Sequence, residues 1–407
     1  MIDADVLFEV LDEWNLWNND LNTGIERPVY LQELLSYVER KEVLVLKGIR
    51  RCGKSTIMRQ LMKRLVQQGV DKTQLLYVNL EIYQLKDYLS LDFFDFILKV
   101  YRERINKGEK VYFFIDEIQL MPDWERFIRT KYDLEDNIKF VVSGSNASLL
   151  SKELSTLLTG RNLTFEIKPL SFFEYKSFTL KPKFDDYLVY GGFPEVVLEK
   201  DVFKKKRLLQ QYFEDIVNKD VINRHNIRNA DGVLKLARYL VENSGSRFSI
   251  NKLAKALSID NSAVDNYISA MIDAYLIIRV DHFSFSLKKR FDKAFQPKYY
   301  VIDNGFFEVV GLNYSKDFGK RFENVVLNHI KNKDVSYYLG DGEVDFVFEK
   351  KAVNVTFVED DIPSREVDGL LNFIAKHKGF ELFLLTPSKV FSTHDLVSFV
   401  SFEEFFK

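Results

Sequence analysis

The stretch VLKGIRRCGKSTIMRQL, Val45 to Leu61, decides how the N-terminal half of the chain is read. An apolar run from Val43 to Leu46 ends at Gly48, and the residues beyond it set Ile57, Leu61 and Leu65 at helical spacing. The order is therefore strand, loop, helix. Gly48, Gly53, Lys54 and Ser55 satisfy G-x-x-x-x-G-K-[ST], the spacing of a loop whose backbone N–H groups curl around phosphate oxygens at the positive end of a helix dipole. The whole loop, Gly48, Ile49, Arg50, Arg51, Cys52, Gly53, Lys54, Ser55 and Thr56, is accordingly read as nucleotide-binding. In that reading Lys54 bridges the β and γ phosphates of ATP, and the Ser55 hydroxyl ligates Mg²⁺.

Binding a phosphate is not hydrolysing it, so magnesium and water need partners farther along. KVYFFIDEIQ supplies them: an apolar strand, Val111 to Ile115, delivers Asp116 and Glu117 at its carboxyl end, where ligands bind in open α/β sheets. Asp116 would hold Mg²⁺ through a water, and Glu117 would orient or deprotonate the attacking water. LLYVNL, Leu75 to Leu80, reads as another strand of the same sheet, as does IKFVVSGSNASLL, which ends in Ser143, Ser145 and Asn146. A polar side chain there is placed to hydrogen-bond the γ phosphate or the water, with Ser145 the first candidate and Asn146 the second. The same residues equally suit a helix N-cap. In LLTGR, Arg161 precedes a further strand. It either neutralises γ-phosphate charge, in cis or across a subunit interface, or forms a surface salt bridge.

The composition sets the frame. The chain has 407 residues, 46% of them hydrophobic, enough for two to three domains with sizeable cores. A net charge of -2 gives no global attraction to nucleic acid, so such binding must come from local basic patches. One cysteine excludes an intrachain disulfide, and no CxxC or HxxxH spacing offers a zinc cage. The start, MIDADVLFEVLDEW, is acidic where a targeting signal would be basic, and runs such as VYFFI are too short to span a bilayer. The expectation is a cytoplasmic protein.

RPVYLQELL, GIRRCGKST, FIDEIQLMPDWE, VVSGSNASLL, LLTGR, IKPLSFFEY and YGGFPEVVL follow one another in this order. That order resembles a family of prokaryotic ATP-binding proteins with an N-terminal AAA-like ATPase domain and a C-terminal domain of uncharacterised function. The resemblance covers essentially the whole chain. It implies an ATPase with an additional catalytic glutamate and carries over most securely onto Lys54, Ser55, Asp116 and Glu117, less so onto Arg161. Trp124 and Pro169 also match the family, as packing and turn residues. Asp220 and Arg224, in KDVINRHNIRN, match without an evident mechanism.

The fold class expected is α/β: an AAA-like P-loop domain with a parallel sheet over residues 1–178, then a helical lid or linker over 179–229. FKKKR, Phe203 to Arg207, is the strongest basic cluster there, either a solvated helix face or a nucleic-acid contact. Residues 230–286 read as three helices, the second opened by a Ser cap, followed by a strand, which resembles a winged helix. Its third helix carries Asp265 and Asp273 and no Lys or Arg; only Lys288, Lys289 and Arg290 offer a basic wing. Residues 287–407 follow the helix, strand, strand order of a restriction-endonuclease-like domain. Glu323 and Asp345 fill the first two acidic places of such a nuclease, but Asn354 and Thr356 stand where an acid and a lysine are needed. A pairing of Glu349 with Lys351 would fall in a turn. The domain is read as non-cleaving, with an ATP-regulated nuclease and a nucleotide-stabilised scaffold as the alternatives to an ATP-driven switch.

Overall fold

A computed structural model describes residues 2–145, 158–286, 295–310, 317–330, 334–358, 362–389 and 394–407. The chain divides into two compact units, Met1–Lys168 with Asp273–Tyr275, and Pro169–Ile272 with Leu276–Lys407.

The first unit is built on β1 (Val43–Lys47), β2 (Leu75–Asn79), β3 (Val111–Asp116), β4 (Ile138–Gly144) and β5 (Asn162–Glu166). They pair in the order β2-β3-β4-β1-β5, all parallel. The first four are nearly continuous apolar runs because a parallel sheet is covered on both faces. The helices of this unit are α1 (Ala4–Trp14), α2 (Pro28–Tyr37), α3 (Lys54–Gln67), α4 (Leu91–Arg104) and α5 (Trp124–Leu134). Leu7 of α1, Phe94 of α4 and Ile128 of α5 share a core with Val43, Phe113 and Phe140 from the strands. Parallel pairing gathers the carboxyl ends of all five strands at one edge. The loop after β1, the acids after β3 and the serines of β4 therefore become neighbours despite their separation in sequence.

β2 is an edge strand, and its open side is met by side chains. The Asn15 carboxamide donates to Tyr77 O at 2.9 Å and accepts from the Tyr77 N–H at 2.7 Å, while Trp17 Nε1 donates to Leu75 O at 2.8 Å. One asparagine thus supplies the ladder pair that a sixth strand would have made.

The second unit contains a mixed seven-stranded sheet of β6 (Ile277–His282), β7 (Lys298–Val301), β8 (Ser336–Leu339), β9 (Glu343–Phe348), β10 (Lys351–Val355), β11 (Glu381–Thr386) and β12 (Val397–Ser401), in the order β12-β11-β10-β9-β8-β6-β7. The helices Ala230–Glu242, Ile250–Leu257 and Asn261–Asp273 precede the antiparallel pair β6-β7. β6 also runs parallel to β8, so residues read as two modules share one sheet. Ser249 occupies the N-cap of the second helix but makes no side-chain cap bond. Pro169–Phe178, read with the ATPase domain, lies in this unit: Leu170, Phe172, Tyr175 and Phe178 are buried in its core. The YGGFP segment is gripped by Asp303, which accepts from the Gly192 N–H at 2.7 Å. A Cβ on Gly191 would lie 1.7 Å from Asp303 Oδ1, and one on Gly192 2.1 Å from Leu170 O, so only glycine fits at either place.

Candidate functional site

The loop after β1 owes its shape to two glycines. Gly53, at φ 101°, caps α3 in the left-handed region, and a Cβ on Gly48, at φ 149°, would stand 2.0 Å from Ile167 O. Arg51 is also left-handed, at φ 70°. Ile49 and Cys52 are buried beneath the loop, Thr56 is half-buried in the first turn of α3, and Arg50 pairs with Glu81 at 3.0 Å. Burial pushes the Cys52 thiol pKa up. Lys54 Nζ donates to Gly48 O at 3.0 Å and Ile49 O at 3.1 Å, so its ammonium lies over the loop it would share with phosphate.

Asp116 and Glu117 arrive as the strand pattern implies. Asp116 is fully buried; its carboxylate accepts from Tyr77 OH at 2.7 Å and from the hydroxyls of Ser143 and Ser55. Burial first, and then the neighbouring Glu117 charge, push its pKa up, while those three hydroxyls work the other way. A buried carboxylate beside a hydroxyl is an all-oxygen donor set, which suits a hard divalent cation such as Mg²⁺. Glu117 has left-handed backbone, φ 55°, and is 7% exposed. Its Oε2 accepts from Gln119 Nε2 and lies 3.4 Å from Ser145 Oγ. Ser143 ties the two acids together, donating to Asp116 and accepting from the Glu117 N–H at 3.2 Å.

Three further side chains support the loop and the acids. Arg27, 2% exposed, donates from Nη1 to Cys52 O at 2.9 Å and Lys168 O at 3.0 Å, bracing the loop from below. Gln119 and Ser143 hold the acids. Only the last was legible, as a polar residue near the end of a central strand. Asn146 lies outside the described residues.

Arg161 is a correction. Its neighbour Asn162 pairs with Val43, the first residue of β1, so Arg161 sits at the edge of the sheet opposite the loop. β1 spans five residues, about 16 Å at strand rise. Arg161 instead pairs with Asp133 at 3.3 Å and lies over the Tyr132 ring, which rules out a role in cis.

In the second unit, Glu323 and Asp345 meet at one ammonium. Lys298 Nζ, on β7, is 2.8 Å from Glu343 Oε1, 3.4 Å from Glu323 Oε1 and 3.7 Å from Asp345 Oδ1. Asn354 braces backbone instead of a metal, accepting from the Asp345 N–H at 3.0 Å and donating to Glu366 O at 2.8 Å. Glu349 and Lys350, both left-handed, form the turn ahead of Lys351. No group of three His, Cys, Asp or Glu among the described residues could hold a metal ion. Asp220 and Arg224 pair at 3.2 Å in and beside a π-helical segment, Ile216–Asn223. The basic cluster is smaller than its sequence suggests, because Lys206 pairs with Glu308 at 3.0 Å and Lys205 lies over the Tyr190 ring, while Lys204 and Arg207 stay exposed. Lys288, Lys289 and Arg290 lie outside the described residues.

A phosphate loop and a buried acid pair, separated by one interposed strand of a parallel sheet, define a P-loop ATPase domain of the AAA type. Residues 40–176 match the family model of an AAA domain, and residues 181–316 match a domain of unknown function, DUF8612. The chain belongs to the family of an uncharacterized protein of Haemophilus influenzae, 30% identical over 375 residues that cover 87% of this chain and 92% of that one. An uncharacterized protein of Methanocaldococcus jannaschii is 31% identical over 355 residues, 82% of this chain and 75% of that one. Among solved structures, AMPPCP-bound DnaA from Aquifex aeolicus shows 16% identity over 64% of this chain and 91% of its own, with a TM-score of 0.31, too low to support a conclusion. No helix among the described residues is long and apolar enough to cross a membrane.

Proposed function

We propose that the protein is an Mg²⁺-dependent ATPase, cytoplasmic, whose nucleotide cycle drives a switch acting on a macromolecular partner. One observation carries the reading: the Ser55 hydroxyl, in the first turn of α3, lies against the buried Asp116 carboxylate, with Glu117 next in the chain. In the reaction Glu117 takes a proton from water as the water oxygen bonds the γ-phosphorus. The bond from that phosphorus to the bridging oxygen breaks, ADP leaves with the electron pair, and inorganic phosphate is released. Lys54 transfers its ammonium from the Gly48 and Ile49 carbonyls to the β and γ phosphates. Mg²⁺, held by Ser55 and Asp116, supplies charge neutralisation when bound. Lys54→Ala should lose nucleotide binding, whereas Glu117→Gln should keep it and lose turnover by about 10²-fold or more. Equal loss of ATP affinity in both variants would remove the role given to Glu117.

For the partner we propose weak, salt-sensitive DNA contact with little sequence preference. The helix Asn261–Asp273 exposes Asp265 and has no Lys or Arg to neutralise phosphate, so the exposed cations of the unit, Lys204 and Arg207 among them, lie elsewhere. Gel-shift titrations at two salt concentrations test this; tight, sequence-specific binding at high salt would overturn it. The nuclease reading is favoured by Lys298, which brings to Glu323 and Asp345 an ammonium where Thr356 stands in place of the expected lysine. We expect no cleavage, because three carboxylates already engage that ammonium. Nicking of supercoiled DNA by the intact protein with Mg²⁺ or Mn²⁺, lost in Asp345→Ala, would reverse this choice.

A further inference from the structure

Glu117 is held from within its own turn. A 3₁₀ turn, Ile118–Leu120, follows it directly, closed by the Leu120 N–H donating to Glu117 O at 3.0 Å, and this brings Gln119 back onto the acid. Gln119 Nε2 donates to Glu117 Oε2. The other end of the same carboxamide, Oε1, is buried and accepts no hydrogen bond. Turning the amide over does not resolve this, since it would set the carbonyl oxygen against the carboxylate and leave the N–H₂ without an acceptor. A buried, unused acceptor carries a cost that folded proteins seldom leave unmet without a reason. Here it belongs to a side chain already bonded to the proposed general base.

We propose that Gln119 is a positioning residue for hydrolysis: its Nε2 fixes the Glu117 carboxylate, and its Oε1 accepts one O–H of the attacking water while Glu117 accepts the other. A water that donates both O–H bonds to these two acceptors keeps both lone pairs turned away from them, so that one can be directed towards the γ-phosphorus, and the proton it gives up passes to Glu117. Ser145, 3.4 Å from the same carboxylate oxygen, limits how far Glu117 can turn.

This inference rests on the ATPase reading, and the experiment separates the two. Steady-state hydrolysis and fluorescent-ATP binding are measured on the full chain for wild type, Glu117→Gln, Gln119→Ala and Gln119→Glu. Gln119→Ala should leave the nucleotide Kd within about twofold while lowering kcat by about 10- to 100-fold, the scale of losing one positioning bond at a reacting centre. Gln119→Glu, which keeps the acceptor, should recover part of the kcat lost in Gln119→Ala at unchanged nucleotide Kd. If Glu117→Gln is inactive while Gln119→Ala keeps wild-type kcat, or turns over faster, the role given to Gln119 is overturned and the ATPase reading stands. If Glu117→Gln hydrolyses ATP like wild type, the reading of Glu117 fails, and this inference with it.

Discussion

Asp303 carries a charge that the folded protein holds only with difficulty. Burial pushes its pKa up to about 6, against the hydrogen bonds it accepts from the Gly192 and Gly305 N–H groups. In the unfolded chain an aspartate titrates near ~3.9, so between the two values the native state binds the extra proton. The stability this group contributes is complete below about pH 4 and is lost as pH rises through about 6. Asp303→Asn should therefore flatten the profile of urea midpoint against pH in that window; an unchanged slope would trace it to another group. Lys298 is the reverse case. Burial opposes its charge, yet Glu323, Asp345 and Glu343 raise its pKa above the ordinary lysine value, while burial, then the charge of Glu323, push Asp345 up. Lys298→Met keeps much of the volume but strands these carboxylates, at a cost of about 3–5 kcal/mol for a broken buried pair. The deficit in urea denaturation should be larger at pH 8 than at pH 5, towards which Asp345, its pKa raised, takes up a proton. Equal deficits would mean that packing, not charge, is what Lys298 supplies.

Between α1 and β2 the decisive element is a single carboxamide. Asn15→Ala leaves the Tyr77 N–H and C=O without their partners inside a buried edge, a loss of about 1–3 kcal/mol. Hydrogen exchange at the Tyr77 amide should accelerate before exchange in β3 does; uniform acceleration would show that the edge does not open by itself. None of this could be read from MIDADVLFEVLDEWN, because Asn15 and Tyr77 are 62 residues apart. What was legible is what lies contiguous in the chain: the G-x-x-x-x-G-K-S loop between strand and helix, and the acids ending an apolar strand, where one local rule fixes both structure and chemistry. The sequence could not choose between the two readings of Arg161, phosphate contact or surface salt bridge, because a glycine-arginine pair before a strand says nothing about which edge of the sheet that strand starts from; parallel pairing with β1 decides it. Lys298 escaped notice because its partners come from a helix and a second strand that only the seven-stranded sheet brings together.

Across the whole chain, the two compact units give nucleotide binding a thermodynamic signature. Mg²⁺ and ATP should raise the melting transition of the unit holding the loop, by about 2.7 kcal/mol at ligand 100-fold above Kd. Glu117→Gln should show the same shift and Lys54→Ala none, as read by scanning calorimetry. A shift that survives Lys54→Ala would place the nucleotide somewhere other than this loop. The C-terminal unit was the less legible because its architecture rests on pairings across long separations. The strand, loop and acid pattern of the N-terminal unit is set at short range, whereas β6 pairs with β8 across β7 and the helix carrying Glu323, which lie between them in the chain.

The chain's single cysteine, Cys52, lies in the floor of the phosphate loop, fully buried, with its carbonyl held by Arg27 and its thiol pKa raised by burial. It is a chemical clock installed at the point of interest. A thiol reagent can reach it only when the loop lifts from its bed, so the rate of modification counts loop openings without any attached probe. ATP with Mg²⁺ should slow that clock, Arg27→Ala should quicken it, and a rate indifferent to both would mean that the sulfur is uncovered by some other motion.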